Sequence, residues 1–134
     1  MSPRSLALIA GLCLVAVVSA ACGGDNEPIT FGEGKLPASV PKGFPLPEGA
    51  VIGSTLVDRV NHRTEFAFTI RAEAAAVIQY YTLNLVGAGY VANRSEGDTL
   101  SWRIEFSRGE VRGTIVIQPG GTGLAAVVVG FNTV

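Results

Sequence analysis

TLSWRIEFSRGEVRGTIVIQ, residues 99–118, decides how the rest of the chain is read. Leu100, Trp102, Ile104 and Phe106 alternate with Ser101, Arg103, Glu105 and Ser107. A strict period of two places successive side chains on opposite faces of a strand, one apolar and one wet. Arg108-Gly109 supplies a tight turn, and VRGTIVIQ (111–118) returns with Ile115 and Ile117 in phase. The stretch therefore predicts an antiparallel hairpin with one face in a core.

Working outward, LAAVVVGF (124–131) reads as the closing strand after a PGGTG loop, and YVANRS (90–95) precedes an EGD turn. Upstream, AVIGSTLVDR (50–59), the turn VNHR (60–63) and TEFAFTI (64–70) read as a second hairpin, with Phe66, Phe68 and Ile70 on one side. Between the hairpins lies RAEAAAVIQYYTLNLVGAG. Its good helix formers predict a helix from Ala72 to Val86, with Ala74, Val77, Ile78, Tyr81 and Leu85 on one stripe and Gly87 or Gly89 as the stop. The expected fold is a two-layer α+β domain: an antiparallel sheet with one helix on one face, in the order ββαββββ. Phe66, Phe68, Leu100, Trp102, Ile104, Phe106, Ile115 and Ile117 should meet the helix, and Glu65, Thr69, Ser101, Arg103, Glu105, Arg112 and Thr114 should meet water.

From Ala74 to Asn93 there is no charged residue. Surface helices carry charge on the stripe away from the core. Here that stripe holds Ala75, Ala76, Gln79, Tyr80, Leu83 and Val86. Two explanations stand: the Val40–Pro47 segment or a curling sheet covers the stripe, or it is a docking face, with Gln79, Tyr80 and Leu83 as candidate residues. A wall of an apolar-ligand cavity is the variant of the second.

The N-terminal part is organised differently. Residues 1–4 carry one positive side chain, Leu6–Val18 is an apolar run of 13 residues, and Ser19, Ala20 and Ala21 are small. This is the layout of a bacterial export signal over residues 1–21. The run is shorter than the ~20 residues of a membrane-spanning helix. Cys13 would leave with the signal, so Cys22 would have no intramolecular partner. Residues 22–47 are rich in Gly, Pro and Glu; Gly23 to Pro37 reads as a flexible spacer, and Val40, Phe44 and Leu46 as an extended stretch that packs. The domain proper is placed at residues 48–134.

SAAC at 19–22 resembles the lipobox of bacterial lipoproteins, with Ser19 where leucine is usual, and GGDNEP resembles their tethers. The resemblance implies that Cys22 is acylated and holds the chain on the outer face of the cytoplasmic membrane. The alternative is ordinary cleavage and a secreted protein with an unpaired Cys22. The PEGA of residues 47–50, with Tyr80-Tyr81, Leu85 and GAGY at 87–90, resembles a recurring small extracytoplasmic lipoprotein domain. That likeness implies no functional residue beyond Cys22.

Chemistry is sparse. Past the leader, nine basic and eleven acidic residues leave no electrostatic footprint for nucleic acid or an anionic surface. His62 is the single histidine, too little for a metal site even with Asp58. No nucleophile–base set can be assembled around it. Glu65, Glu105 and Glu110 are more readily solvated, or paired with Arg103 and Arg112, than catalytic. GAG follows a helix rather than opening one, and PGGTG lacks the lysine of a phosphate loop. The expectation is no catalytic residues, no metal and no cofactor. What remains is a membrane-tethered binding or accessory domain with a protein partner or apolar ligand. The alternative is a lipid or apolar-molecule carrier with its ligand between helix and sheet.

Overall fold

The structure, a computed structural model, describes residues 27–133. The hairpin read first is present: Trp102–Arg108 and Val111–Pro119 pair antiparallel, closed by the two residues between Arg108 and Val111. Seven strands form one antiparallel sheet: β1 (Ile29–Glu33), β2 (Val51–Asp58), β3 (Arg63–Ile70), β4 (Val91–Gly97), β5 (Trp102–Arg108), β6 (Val111–Pro119) and β7 (Ala125–Thr133). Their spatial order is β1-β2-β3-β7-β6-β5-β4. One helix, α1 (Ala74–Gly87), links β3 to β4.

This corrects the expected two-layer ββαββββ arrangement. The described residues are 49% strand and 13% helix, a mostly β protein with one helix. The additional strand comes from the stretch expected to be spacer: ITFGE pairs with β2, Ile29 opposite Asp58 and Glu33 opposite Ser54. Four of its five residues are exposed, so no buried alternation marks it.

The connectivity follows from two meanders. β2-β3 and β4-β5-β6-β7 fold back through short turns, β1 reaches β2 through the longer segment 34–50, and the β3–β7 pairing joins the two halves. β3 and β4 therefore lie four strand spacings apart, roughly 19 Å. A helix of 14 residues is roughly 21 Å long, enough to carry the chain across. It ends in a Schellman motif: the Gly89 N–H donates to Val86 O (3.0 Å) and the Tyr90 N–H to Leu85 O (2.9 Å). Gly89 has φ +86°, which is why the stop falls on a glycine. Arg108 secures the same end, donating to Ala88 O at 3.0 Å with its guanidinium 4.3 Å from the Tyr90 ring centre.

The inner face builds the core in cross-strand rows. Phe66, Val129, Ile115 and Ile104 form one; Thr64, Phe131, Gly113 and Phe106 form the next. Gly113 is required there, because a Cβ would collide with the Phe106 ring and lie 2.7 Å from Gly130 O. From α1, Val77, Tyr81 and Leu85 descend onto these rows. Phe44 enters from the side, its ring between 4.9 and 6.2 Å from those of Phe131, Phe106, Tyr90, Tyr81 and Phe66.

Two core assignments change. Leu100 is 76% exposed, because Asp98 accepts from the Leu100 and Ser101 N–H groups and holds them in a turn. Trp102 is half-buried, its Nε1 donating to Ser95 Oγ at 2.9 Å.

Candidate functional site

Three surfaces are candidate sites. The first is the outward stripe of α1. Gln79 is exposed, Leu83 is 67% and Val86 65% exposed, and Tyr80 is half-buried with its ring 5.2 Å from that of Tyr81. Partial burial raises the Tyr80 pKa, keeping the phenol neutral. Thr82 and Asn84 turn inward on their own helix, donating to Ile78 O and Tyr80 O. The Val40–Pro47 segment, one of the two alternatives for cover, packs Val40, Phe44 and Leu46 against the core, as expected of that stretch. Among the described residues Gln79, Leu83 and Val86 of the stripe stay exposed.

The second surface is the outer face of the sheet. Register places Arg63, Asn132 and Arg112 in one row, and Glu65, Gly130, Thr114 and Glu105 in the next. Arg63 lies across Gly130, where a Cβ would come within 3.2 Å of its guanidinium, and meets Glu65 at 2.7 Å. Arg103 reaches Glu105 at 3.4 Å. Glu110, in the β5–β6 turn, is not brought to this group. These side chains border a shallow concavity of about 390 Å³. Beside it Ala67, Val116 and Val128 line an apolar hollow of about 210 Å³. The expected wet residues are mostly here; the apolar share is hidden in the sequence, because Val116 and Val128 sit in near-continuous β-branched runs whose outward members look like core.

The third is a wide cleft of about 800 Å³ between the Pro37–Pro41 segment and the ends of β1, β2 and β3. His62 and Asp58 lie at its rim. Asp58 is committed to the turn: it accepts from the Val60 and Asn61 N–H groups (both 3.0 Å) and from Asn61 Nδ2 (2.7 Å). The Asn61 side chain and then its backbone are the main reasons its pKa falls below the usual carboxylate value. Among the described residues no three His, Cys, Asp or Glu side chains converge as metal ligands. Ser39 Oγ, also on the cleft, is hydrogen-bonded to Thr64 Oγ1 at 2.7 Å.

Cys22, the lipidation candidate, and the leader lie outside the described residues. No helix among the described residues is long and apolar enough to cross a membrane. No protein-family model, curated protein or solved structure matches the chain.

Proposed function

We propose that the chain is an exported, lipid-anchored domain that binds a partner protein without catalysis, held by Cys22 on the outer face of the bacterial cytoplasmic membrane. One observation carries the binding role. The outward stripe of α1 has no charge from Ala74 to Asn93, and its large apolar side chains, Leu83 and Val86, stay exposed. A surface helix left bare in this way favours a docking face. The space beneath the same helix is occupied by Phe44, Tyr81 and Tyr90, which favours external binding over a carrier with ligand between helix and sheet. The anchoring role rests on the leader pattern and on SAAC at 19–22. Two or three acyl chains on one residue would hold firmly where a single chain binds marginally.

The test is a photo-activatable side chain at Leu83, with a control at Thr122 in the β6–β7 loop, in cells carrying the full chain. The expected result is a discrete membrane-associated adduct from position 83 and none from 122. Equal labelling at both positions, or none at either, contradicts the docking role. In the same cells Cys22→Ala should move the chain from the membrane to the soluble fraction; an unchanged distribution contradicts anchoring.

A further inference from the structure

Among the described residues the sheet ends at β4, which pairs with β5 alone and exposes all seven of its residues. An unpaired edge is a template for another strand. Its hydrogen-bonding phase can be derived. β5 and β6 are closed by a two-residue turn between Arg108 and Val111. In such a hairpin the closing pair exchanges both backbone bonds, and alternate pairs follow suit. Arg108, Phe106, Ile104 and Trp102 therefore bond β6, while Ser107, Glu105 and Arg103 bond β4. The Asp98 N–H to Ser101 O bond of 3.0 Å sets the same phase from the other end. Arg94 and Glu96, opposite Glu105 and Arg103, thus use their backbone groups inward. The Ser95 N–H and C=O point to the free side.

The side chains supply the complementarity. The sequence R-x-E occurs at 94–96 in β4 and at 103–105 in β5. Antiparallel register sets Arg94 opposite Glu105 and Glu96 opposite Arg103, while the ion pairs close along each strand, Arg94 to Glu96 at 3.0 Å and Arg103 to Glu105 at 3.4 Å, so neighbouring strands present alternating charge to each other. An R-x-E strand is complementary to an antiparallel copy of itself. β4 has R-x-E on its unpaired side too, and a second β4 meets it with the same match.

We propose that a second copy of this chain occupies the β4 edge. The two strands run antiparallel about a two-fold axis at Ser95, with Ser95 bonded to Ser95 and Arg94 opposite Glu96 of the other copy. Those charges fall at non-hydrogen-bonded positions, where facing side chains approach most closely. The register shift between Ala92 and Arg94 limits the ladder at one end, and Gly97 closes the strand at the other. So short an interface makes a weak, reversible dimer. The proposal is independent of the docking role assigned to α1, whose readout is adduct formation at Leu83.

Sedimentation velocity of the full chain in density-matched detergent tests it. The chain should associate to dimers below about 1 mM. Arg94→Glu alone and Glu96→Arg alone should each weaken association about tenfold or more, because each sets like charges opposite one another. An equimolar mixture of the two variants should dimerise again, since one copy then presents two acids and the other two bases. Recovery in the mixture separates lost pairing from misfolding. Ser95→Pro removes the N–H on the free side and, with it, the hydroxyl that accepts from Trp102 Nε1, so it should abolish the dimer and keep the far-ultraviolet circular dichroism, at a lower denaturation midpoint. A monomer at every concentration overturns the proposal. So does a dimer indifferent to both charge variants, a mixture that fails to recover, or an edge filled only by a segment of a different protein.

Discussion

The two faces of the sheet are built from the same strands, residue by residue in alternation, and they differ in how fully they are used. On the inner face Phe66, Phe106, Ile115, Val129 and Phe131 are all buried, closed over by α1 and plugged by Phe44. On the outer face the same strands hold up Arg63, Glu65, Arg103, Glu105 and Arg112 beside Ala67, Val116 and Val128, and nothing among the described residues covers them. The difference shows where stability resides. The inner face accounts for the fold, and the described residues leave the outer face, the α1 stripe and the β4 edge uncovered.

The sharpest way to break this division is through the inner face. Phe106→Ala removes a ring in contact with Phe44, Tyr90 and Phe131, and should cost about 3–5 kcal/mol in denaturant unfolding. A loss under about 1 kcal/mol would mean the aromatic cluster is not the centre of the core. Gly113→Ala tests the same row from the opposite side, by overfilling it: the new methyl meets the Phe106 ring and Gly130 O, with an expected cost of about 1–3 kcal/mol. Trp102→Ala falls between the faces. Half-buried and hydrogen-bonded to Ser95, it should cost about 1–2 kcal/mol rather than the larger amount of a fully buried aromatic.

The smallest effect sharpens the comparison most. Among the described residues the buried Tyr81 and Tyr90 hydroxyls have no hydrogen-bond partner. Removing an unpartnered hydroxyl is close to neutral or stabilising, so Tyr81→Phe should change stability by less than about 0.5 kcal/mol in either direction. The same burial, with a lesser contribution from Tyr80, raises the Tyr81 pKa above its ordinary value of 10.0. A group whose folded pKa is raised contributes stability below its unfolded pKa and loses it as pH climbs past that value. Alkaline destabilisation should thus begin above about pH 10 in the wild type and be reduced in Tyr81→Phe, read as the denaturation midpoint against pH.

Legibility in the sequence followed how each residue satisfies the backbone and the core. β5 and β6 were plain because every second residue from Trp102 to Phe106 and from Ile115 to Ile117 points into one core. β1 was not, since its Phe31 is 79% exposed and Pro28 and Gly34 bracket a strand of five residues. Leu100 continued the alternation in sequence, but the Asp98 carboxylate captured its N–H and the strand began two residues later. Phe44 was legible as a packing residue, whereas its place at the centre of five rings depended on long-range contacts. Of the candidate sites, the uncharged α1 stripe could be read directly. The β4 edge needed the register, because R-x-E becomes self-complementary only once its antiparallel partner and phase are known.

The claim on which the function depends is that Cys22 is the acylated first residue of the mature chain. Intact-mass measurement of the protein extracted from bacterial membranes tests it directly. The account predicts a polypeptide beginning at Cys22 and heavier than its sequence by a set of acyl chains. A chain that retains residues 5–21, or one with an unmodified Cys22 thiol, would contradict it.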